Sequence, residues 1–310
     1  MLGFTMSLLG AGGIDWRYAR RGDGPTVLLL HTLRTQAEYF AALVRHLDGY
    51  DLVVPDLPGH GESSAPRLEY SASFFRDALA AFIDKLGLSR VAVVGESIGA
   101  VVGLTLAGAR NPPVVGVVAL NPYDYGVRGG IRRSSVLANI VFTAMLVPGI
   151  GSVVARAAPP PLLRLIMEGG VEDSANLTND FVGTLFKSGL RRGHARAFRS
   201  LCLEWRSWVD ARESYGGIEV PIWLGYSEAD WSRPTERQAN RDLMPTATCV
   251  DLGAAGHFSC LEVPAVVAAT VRDAVRAAAL RLNGPIVDLT NRCYRYTKMH
   301  PDLACSGYGA

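Results

Sequence analysis

Apolar and polar residues alternate over Ile14–Arg20, a pattern typical of a strand with one exposed face. Shorter, largely apolar runs predict strands at residues 26–30, 50–54, 91–94, 114–120, 221–225 and 247–252, and those at 26–30 and 114–120 have the pattern of buried strands. Apolar residues recur with helical spacing at 36–47, 74–86, 235–243 and 264–282. Strands that alternate with helices predict an α/β fold with a mostly parallel sheet covered on both faces.

The alternation is interrupted between the strand at 114–120 and the one at 221–225, where prolines and helical patterns replace the strand signals. This interruption predicts an inserted helical cap. We expect a core of residues 1–122 and 218–282, a cap of residues 123–217, and a C-terminal tail of residues 283–310 whose order the sequence does not decide.

One cap segment is uncharged along its whole length, between Arg133 and Arg156. Its length would suit a membrane span, but Asn139, Pro148 and two glycines interrupt it. We therefore expect no stable membrane span, but a helical hairpin that lines a pocket for a hydrophobic small-molecule substrate. In an equally compatible alternative, these residues only pack the cap onto the core.

Length, composition and charge limit the classes of protein to which this chain could belong. The chain has 310 residues, 49% of them hydrophobic and 19% charged, enough for one large domain with a sizeable core. Its net charge of +2 and lack of a basic stripe predict no nucleic-acid partner. Five cysteines without C-x-x-C spacing, and no secretory signal in Met1–Gly13, predict a cytoplasmic protein without a metal site or organic cofactor. Oligomeric state stays open.

The most informative motif is Gly95–Gly99, which reads G-E-S-I-G and fits the pattern G-x-S-x-G. It follows a β-branched run and precedes a small, apolar helical segment, so Ser97 is expected at the apex of a sharp strand-to-helix turn. A serine held above a helix N-terminus is positioned to attack a carbonyl group. The alternative is an ordinary turn serine.

A serine nucleophile needs a base and an orienting acid. His257 lies in a glycine-bracketed loop after the last strand, and Asp230 follows the strand before it. We predict His257 as base and Asp230 as acid. Asp124, after the strand at 114–120, is an alternative acid, and Glu228 is a weaker one. The ordinary alternatives are a solvated histidine and a helix-capping aspartate.

With these loops in order, the chain resembles the α/β-hydrolase family over residues 14–282. Besides the serine, acid and base loops, the resemblance rests on His31-Thr32-Leu33 and on the segment Asp56–Ser63, which reads DLPGHGES. It implies a doubly wound, mostly parallel eight-stranded sheet with an inserted helical cap, similar to capped esterases, lipases and C–C hydrolases.

The resemblance also implies an oxyanion hole formed by the N–H groups of Leu33 and Ile98. The family usually has glycine where this chain has Thr32, so the threonine either narrows the approach or supplies a hydroxyl. By the same resemblance, His31 and His60 are structural residues.

These residues lead to one main hypothesis and two alternatives. The main one is a serine hydrolase that cleaves an ester, thioester or lactone through an acyl-enzyme on Ser97. The same fold would also serve C–C bond cleavage, acyl transfer or cyclisation in a biosynthetic pathway. A non-catalytic ligand-binding protein is the second alternative. Serine at position 97 argues against dehalogenase and epoxide hydrolase chemistry, which would use an aspartate.

Overall fold

A single twisted sheet organises the part of the chain that the computed structural model describes, which is residues 4–110, 112–126, 129–156 and 159–283. Its eight strands are β1 (Met6–Ala11), β2 (Ile14–Arg21), β3 (Thr26–Leu30), β4 (Asp51–Pro55), β5 (Val91–Glu96), β6 (Val114–Leu120), β7 (Ile222–Tyr226) and β8 (Thr248–Asp251). They are ordered β1-β2-β4-β3-β5-β6-β7-β8. The β1–β2 and β2–β4 pairs are antiparallel and the other five are parallel. The predicted mostly parallel, doubly wound sheet is confirmed.

Helices cover both faces of this sheet and fill the long β6–β7 connection. The helices of the sheet layer are α1 (Ala72–Lys85), α2 (Ile98–Ala107), α9 (Pro234–Leu243), α10 (Ser259–Glu262) and α11 (Pro264–Asn283). Those between β6 and β7 are α3 (Val136–Leu146), α4 (Gly151–Arg156), α5 (Pro160–Glu168), α6 (Asn179–Gly189), α7 (His194–Leu203) and α8 (Trp205–Asp210). The inserted segment is thus helical where it is described.

Most predicted elements have counterparts within a few residues, with two differences. Strand β1 was not predicted, although the Gly12-Gly13 turn after it is a hairpin signal. The helix expected at 36–47 is two short 3₁₀ turns, Ala37–Ala41 and Leu43–His46.

The uncharged segment between Arg133 and Arg156 forms α3 and α4. Within the described residues, no helix has the length and apolar character needed to cross a membrane. The predicted tail lies outside those residues from position 284 onward.

The turn from β5 into α2 is as tight as the motif requires. Ser97 is its single linking residue and has the left-handed values φ 62° and ψ −119°. A Cβ on Gly95 would lie 2.2 Å from the Gly99 carbonyl oxygen, and one on Gly99 would lie 2.2 Å from the Leu30 carbonyl oxygen. Both glycines are therefore required, because any side chain would push α2 away from β3 and β5.

We expect Gly99→Ala to lower the free energy of unfolding by about 3 kcal/mol or more, since the clash is with rigid backbone. Gly183→Ala is the matched control, because a methyl group added to Gly183, in α6, would meet no atom within 4 Å. It should be neutral or stabilising by about 0.5–1 kcal/mol. Urea unfolding measures both. Equal stability of the two variants would contradict the packing at the turn.

Candidate active site

His257 and Asp230 form a buried hydrogen-bonded pair at the carboxyl edge of the sheet. His257 Nδ1 lies 2.5 Å from Asp230 Oδ1, and both side chains are fully buried. The other oxygen, Oδ2, accepts hydrogen bonds from the Ser232 backbone N–H, at 2.9 Å, and from its hydroxyl. Burial alone would raise the pKa of Asp230, but His257 and Ser232 outweigh it and hold that pKa below its usual value. An ionised Asp230 makes Nδ1 the donor and leaves Nε2 as the free acceptor.

Ser97 Oγ and His257 Nε2 are both buried, and neither has a hydrogen-bond partner within the described residues. Hydrogen bonds nevertheless connect the His257 loop to the end of β6 and to the residue before Ser97. Asn121 Nδ2 donates to the His257 carbonyl oxygen at 3.2 Å. The Ser259 N–H donates to the Glu96 carboxylate at 2.7 Å. Such a gap between nucleophile and base is common before substrate binds.

Glu96 joins the serine turn to the histidine loop, a role that the sequence patterns did not reveal. Its buried carboxylate accepts from the Ser259 N–H and hydroxyl, the Tyr39 hydroxyl and the Cys260 N–H. Burial raises the pKa of Glu96 although these donors oppose the shift. A charged residue in an otherwise apolar buried strand was the available signal.

Asn121 makes a second connection that the sequence patterns did not predict. It follows β6 directly and adopts a left-handed φ of 44°. Its Oδ1 accepts from the Ser227 N–H at 2.9 Å, and its Nδ2 donates to the Ser227 hydroxyl at 3.1 Å. Because Ser227 begins the loop that carries Asp230, Asn121 fixes the acid loop and the histidine loop together. An amide at the end of a buried strand was the signal here.

Trp231 connects the acid loop to the cap. Its ring stacks on His257 with centroids 3.8 Å apart and planes 13° apart. Its indole N–H donates to the Gly169 carbonyl at 2.8 Å, at the end of α5. Arg133 donates to the Trp231 carbonyl and pairs with Glu236 at 2.7 Å. One ring face of His257 is therefore covered by Trp231, which is held by a hydrogen bond to the end of α5.

In the loop after β3, the backbone N–H of Leu33 points away from the hydrogen bonds that the Thr32 carbonyl accepts. The Thr32 carbonyl accepts from His31 Nδ1 at 2.9 Å and from the hydroxyl and N–H of Thr35, at 2.8 and 3.2 Å. Since the peptide is trans, the Leu33 N–H points the opposite way. Ile98 begins α2, so its N–H has no acceptor within the helix. Thr32 avoids the left-handed region, so its backbone does not need glycine.

The two histidines expected to be structural support this edge. His31 Nε2 accepts the Leu57 N–H at 2.9 Å, and burial lowers the pKa of His31 to about 4, which keeps it neutral. His60 Nδ1 donates to the Pro58 carbonyl at 3.1 Å, and burial lowers the pKa of His60 to about 3. Neither ring contacts the acid of the candidate site.

Neither alternative acid lies against the base. Asp124 is buried with Asn240 and Tyr215, whose amide and hydroxyl donate to its Oδ2 at 2.8 and 3.2 Å. Burial raises the pKa of Asp124 to about 7. Glu228 is exposed on the Asp230 loop.

A cavity of about 50 Å³ lies beside these groups, although neither Ser97 nor His257 is among its lining residues. Thr32, Leu33 and Arg34 line it from the loop after β3, and Trp231 and Phe258 line it beside His257. The opposite wall is apolar and comes from the cap helices, with Val141, Phe142, Met145, Leu163, Ile166 and Met167. The predicted hairpin of α3 and α4 thus lines an apolar pocket.

Comparisons with known proteins agree with this fold. Residues 25–264 match the family model described as alpha/beta hydrolase fold. The chain is 35% identical over 171 residues to the magnesium-chelatase 30 kDa subunit of Rhodobacter capsulatus, covering 53% of this chain and 59% of that protein. It is 37% identical over 113 residues to the lipase LipV of Mycobacterium tuberculosis, covering 35% and 42%. The crystal structure of Cfl2 from Burkholderia cenocepacia superposes with a TM-score of 0.76, at 19% identity, covering 87% of this chain and 95% of that one.

This chain therefore belongs to the alpha/beta hydrolase family. It spans 59% of the length of the first curated relative and 42% of the lipase, so these matches cover only part of each relative.

The raised pKa of Asp124 predicts a pH-dependent contribution to stability. Folded Asp124 binds its proton below about pH 7, whereas an unfolded aspartate does so below about pH 4. Between these values folding takes up a proton, so rising pH lowers the free energy of unfolding through this group. Asp124→Asn removes this dependence. The stability of the variant relative to the parent should rise by about 1 kcal/mol or more from about pH 4.5 to about pH 7.5. A difference that stays constant in urea unfolding would contradict the buried, protonated acid.

Proposed function

We propose that this protein is a serine hydrolase that cleaves an ester, thioester or lactone of a largely hydrophobic small molecule. The bond between His257 Nδ1 and Asp230, at 2.5 Å, carries this proposal. It leaves His257 Nε2 as a buried, unpartnered acceptor, and the hydroxyl of Ser97 is buried and unpartnered at the strained turn. A nucleophile, a base and an orienting acid are the three parts of such a triad.

In the first half of the reaction, Ser97 Oγ attacks the substrate carbonyl carbon and its proton passes to His257 Nε2. Asp230 stabilises the imidazolium that forms. The tetrahedral oxyanion is held by the N–H groups of Leu33 and Ile98, each contributing about 3 kcal/mol. The orphaned Thr32 hydroxyl lines the same cavity and supplies a further donor.

In the second half, the intermediate collapses and the alcohol or thiol leaves with the proton from His257. Water then loses a proton to His257 Nε2 and attacks the acyl-enzyme, which releases the acid and restores Ser97. The apolar cap wall supports a hydrophobic acyl or alcohol group. The likeness to a protein named as a lipase supports an ester as substrate.

Ser97 should react covalently with a fluorophosphonate probe. Ser97→Ala should abolish labelling and lower kcat on p-nitrophenyl esters by about 10³-fold or more, since the nucleophile is lost. Ser73→Ala, an exposed serine of α1, is the matched control and should label normally. Unchanged ester turnover by folded Ser97→Ala protein would overturn the proposal.

The assignment of the acid is tested by replacing each of two buried aspartates with asparagine. Asp230→Asn replaces an acceptor that fixes the His257 tautomer, so kcat should fall by about 10³- to 10⁴-fold. Asp124→Asn changes a carboxylate that bonds Asn240 and Tyr215, so kcat should stay close to that of the parent. The reverse ranking in steady-state assays would assign the acid role to Asp124.

A further inference from the structure

Arg34 is a cation that the proposed reaction does not use, although its side chain lines the cavity. Its Nη1 atom is buried and has no hydrogen-bond partner within the described residues. The guanidinium lies over the Phe198 ring, 5.1 Å from the ring centroid, and packs against Gly189. Burial lowers the pKa of Arg34 to about 10, so it keeps its charge at neutral pH.

The surroundings of Arg34 do not balance this charge. The titratable groups that interact with it are the thiol of Cys202 and the imidazoles of His60 and His194. Burial raises the pKa of Cys202 to about 12 and lowers the pKa of both histidines, so all three are neutral. An uncompensated charge away from water is costly, and the usual remedy is an anion.

Two other arginines of the described chain, one buried and one half-buried, have such anions. Arg17 pairs with Asp56 at 2.9 Å, and Arg133 pairs with Glu236 at 2.7 Å. Arg34 differs in lacking a carboxylate and in facing the cavity. It also has a left-handed φ of 65°, a conformation that non-glycine residues rarely adopt and that recurs at ligand-binding positions.

We propose that Arg34 binds an ionised carboxylate of the substrate. The proposal rests on the proposed function and sharpens its substrate class: an ester, thioester or lactone that carries a second, free carboxyl group. A planar guanidinium suits a planar carboxylate, which it binds through two parallel N–H bonds. Because Arg34 directly follows Leu33, the carboxylate lies within a few bonds of the carbonyl that is attacked. The rest of the substrate contacts the apolar cap wall.

The test uses paired substrates that differ only in charge. These are the mono-p-nitrophenyl esters of succinate, glutarate and adipate, each compared with its methyl-capped diester. For the best chain length, the parent protein should favour the anionic ester about 10- to 100-fold in kcat/KM. Arg34→Met should bring this ratio close to one, mainly through KM, and Arg34→Lys should restore part of it. Arg192→Met, which removes one exposed charge, is the matched control and should keep the full preference.

Binding to Ser97→Ala protein separates this inference from the proposed reaction. Calorimetry should show the monomethyl esters of the same diacids binding about 10-fold or more tightly than the dimethyl esters, with the difference lost in Ser97→Ala/Arg34→Met protein. That result without turnover by the parent supports the carboxylate site and refutes the hydrolase. Turnover without a charge preference, or a preference that survives Arg34→Met, refutes the site and leaves the hydrolase standing. Absence of both turnover and binding refutes both.

Discussion

The close contact between α2 and the two strands beneath it is the constraint on which the rest of the site depends. Gly95 and Gly99 allow α2 to begin directly after β5, and this leaves Ser97 no conformation but a left-handed one. The Ser97 N–H then bonds the Leu120 carbonyl at 2.9 Å, which holds the apex against β6. The same geometry makes Ile98 the first residue of α2, so its N–H has no acceptor within the helix. A small side chain at either glycine would disturb all of these relations together.

Around this turn, two buried polar side chains replace the hydrogen bonds that loops would otherwise make with water. Glu96 gathers donors from Tyr39 and from the start of α10, and Asn121 gathers those of the acid loop. A carboxylate is expensive to bury, but several charge-assisted hydrogen bonds offset the cost and give the histidine loop one position. His257 is therefore placed by its backbone, while Asp230 and Trp231 determine its ring orientation. The position of the histidine and the orientation of its ring thus depend on different residues.

Features of the site that depend on residues close together in the chain could be predicted from the sequence, whereas those that depend on residues far apart could not. The parallel sheet brings the loops after its strands to one edge, so local patterns sufficed to nominate Ser97 and His257. They favoured Asp230 as the acid but left Asp124 as an alternative, because both follow a strand and no local pattern contains the contact between Asp230 and His257. The role of Glu96 depends on Ser259, 163 residues away, and no local pattern contains that contact. That Thr32 narrows the approach of substrate or supplies a hydroxyl stays a prediction; its φ is ordinary, and the left-handed residue of that loop is Arg34.

Three non-glycine residues of the described chain have a left-handed backbone, and they lie after β3, β5 and β6, which are neighbours in the sheet. Such conformations persist only where the surroundings over-determine them. Packing of α2 does this at Ser97, and amide hydrogen bonds do it at Asn121. At two of these three positions the carboxyl edge is therefore fixed by packing or by hydrogen bonds. The cap opposite it rests on apolar contacts and on a few polar links such as Trp231 to Gly169. The two sides of the site therefore differ in kind: hydrogen bonds and close backbone packing position the groups at the sheet edge, whereas apolar side chains of the inserted helices form much of the cavity wall.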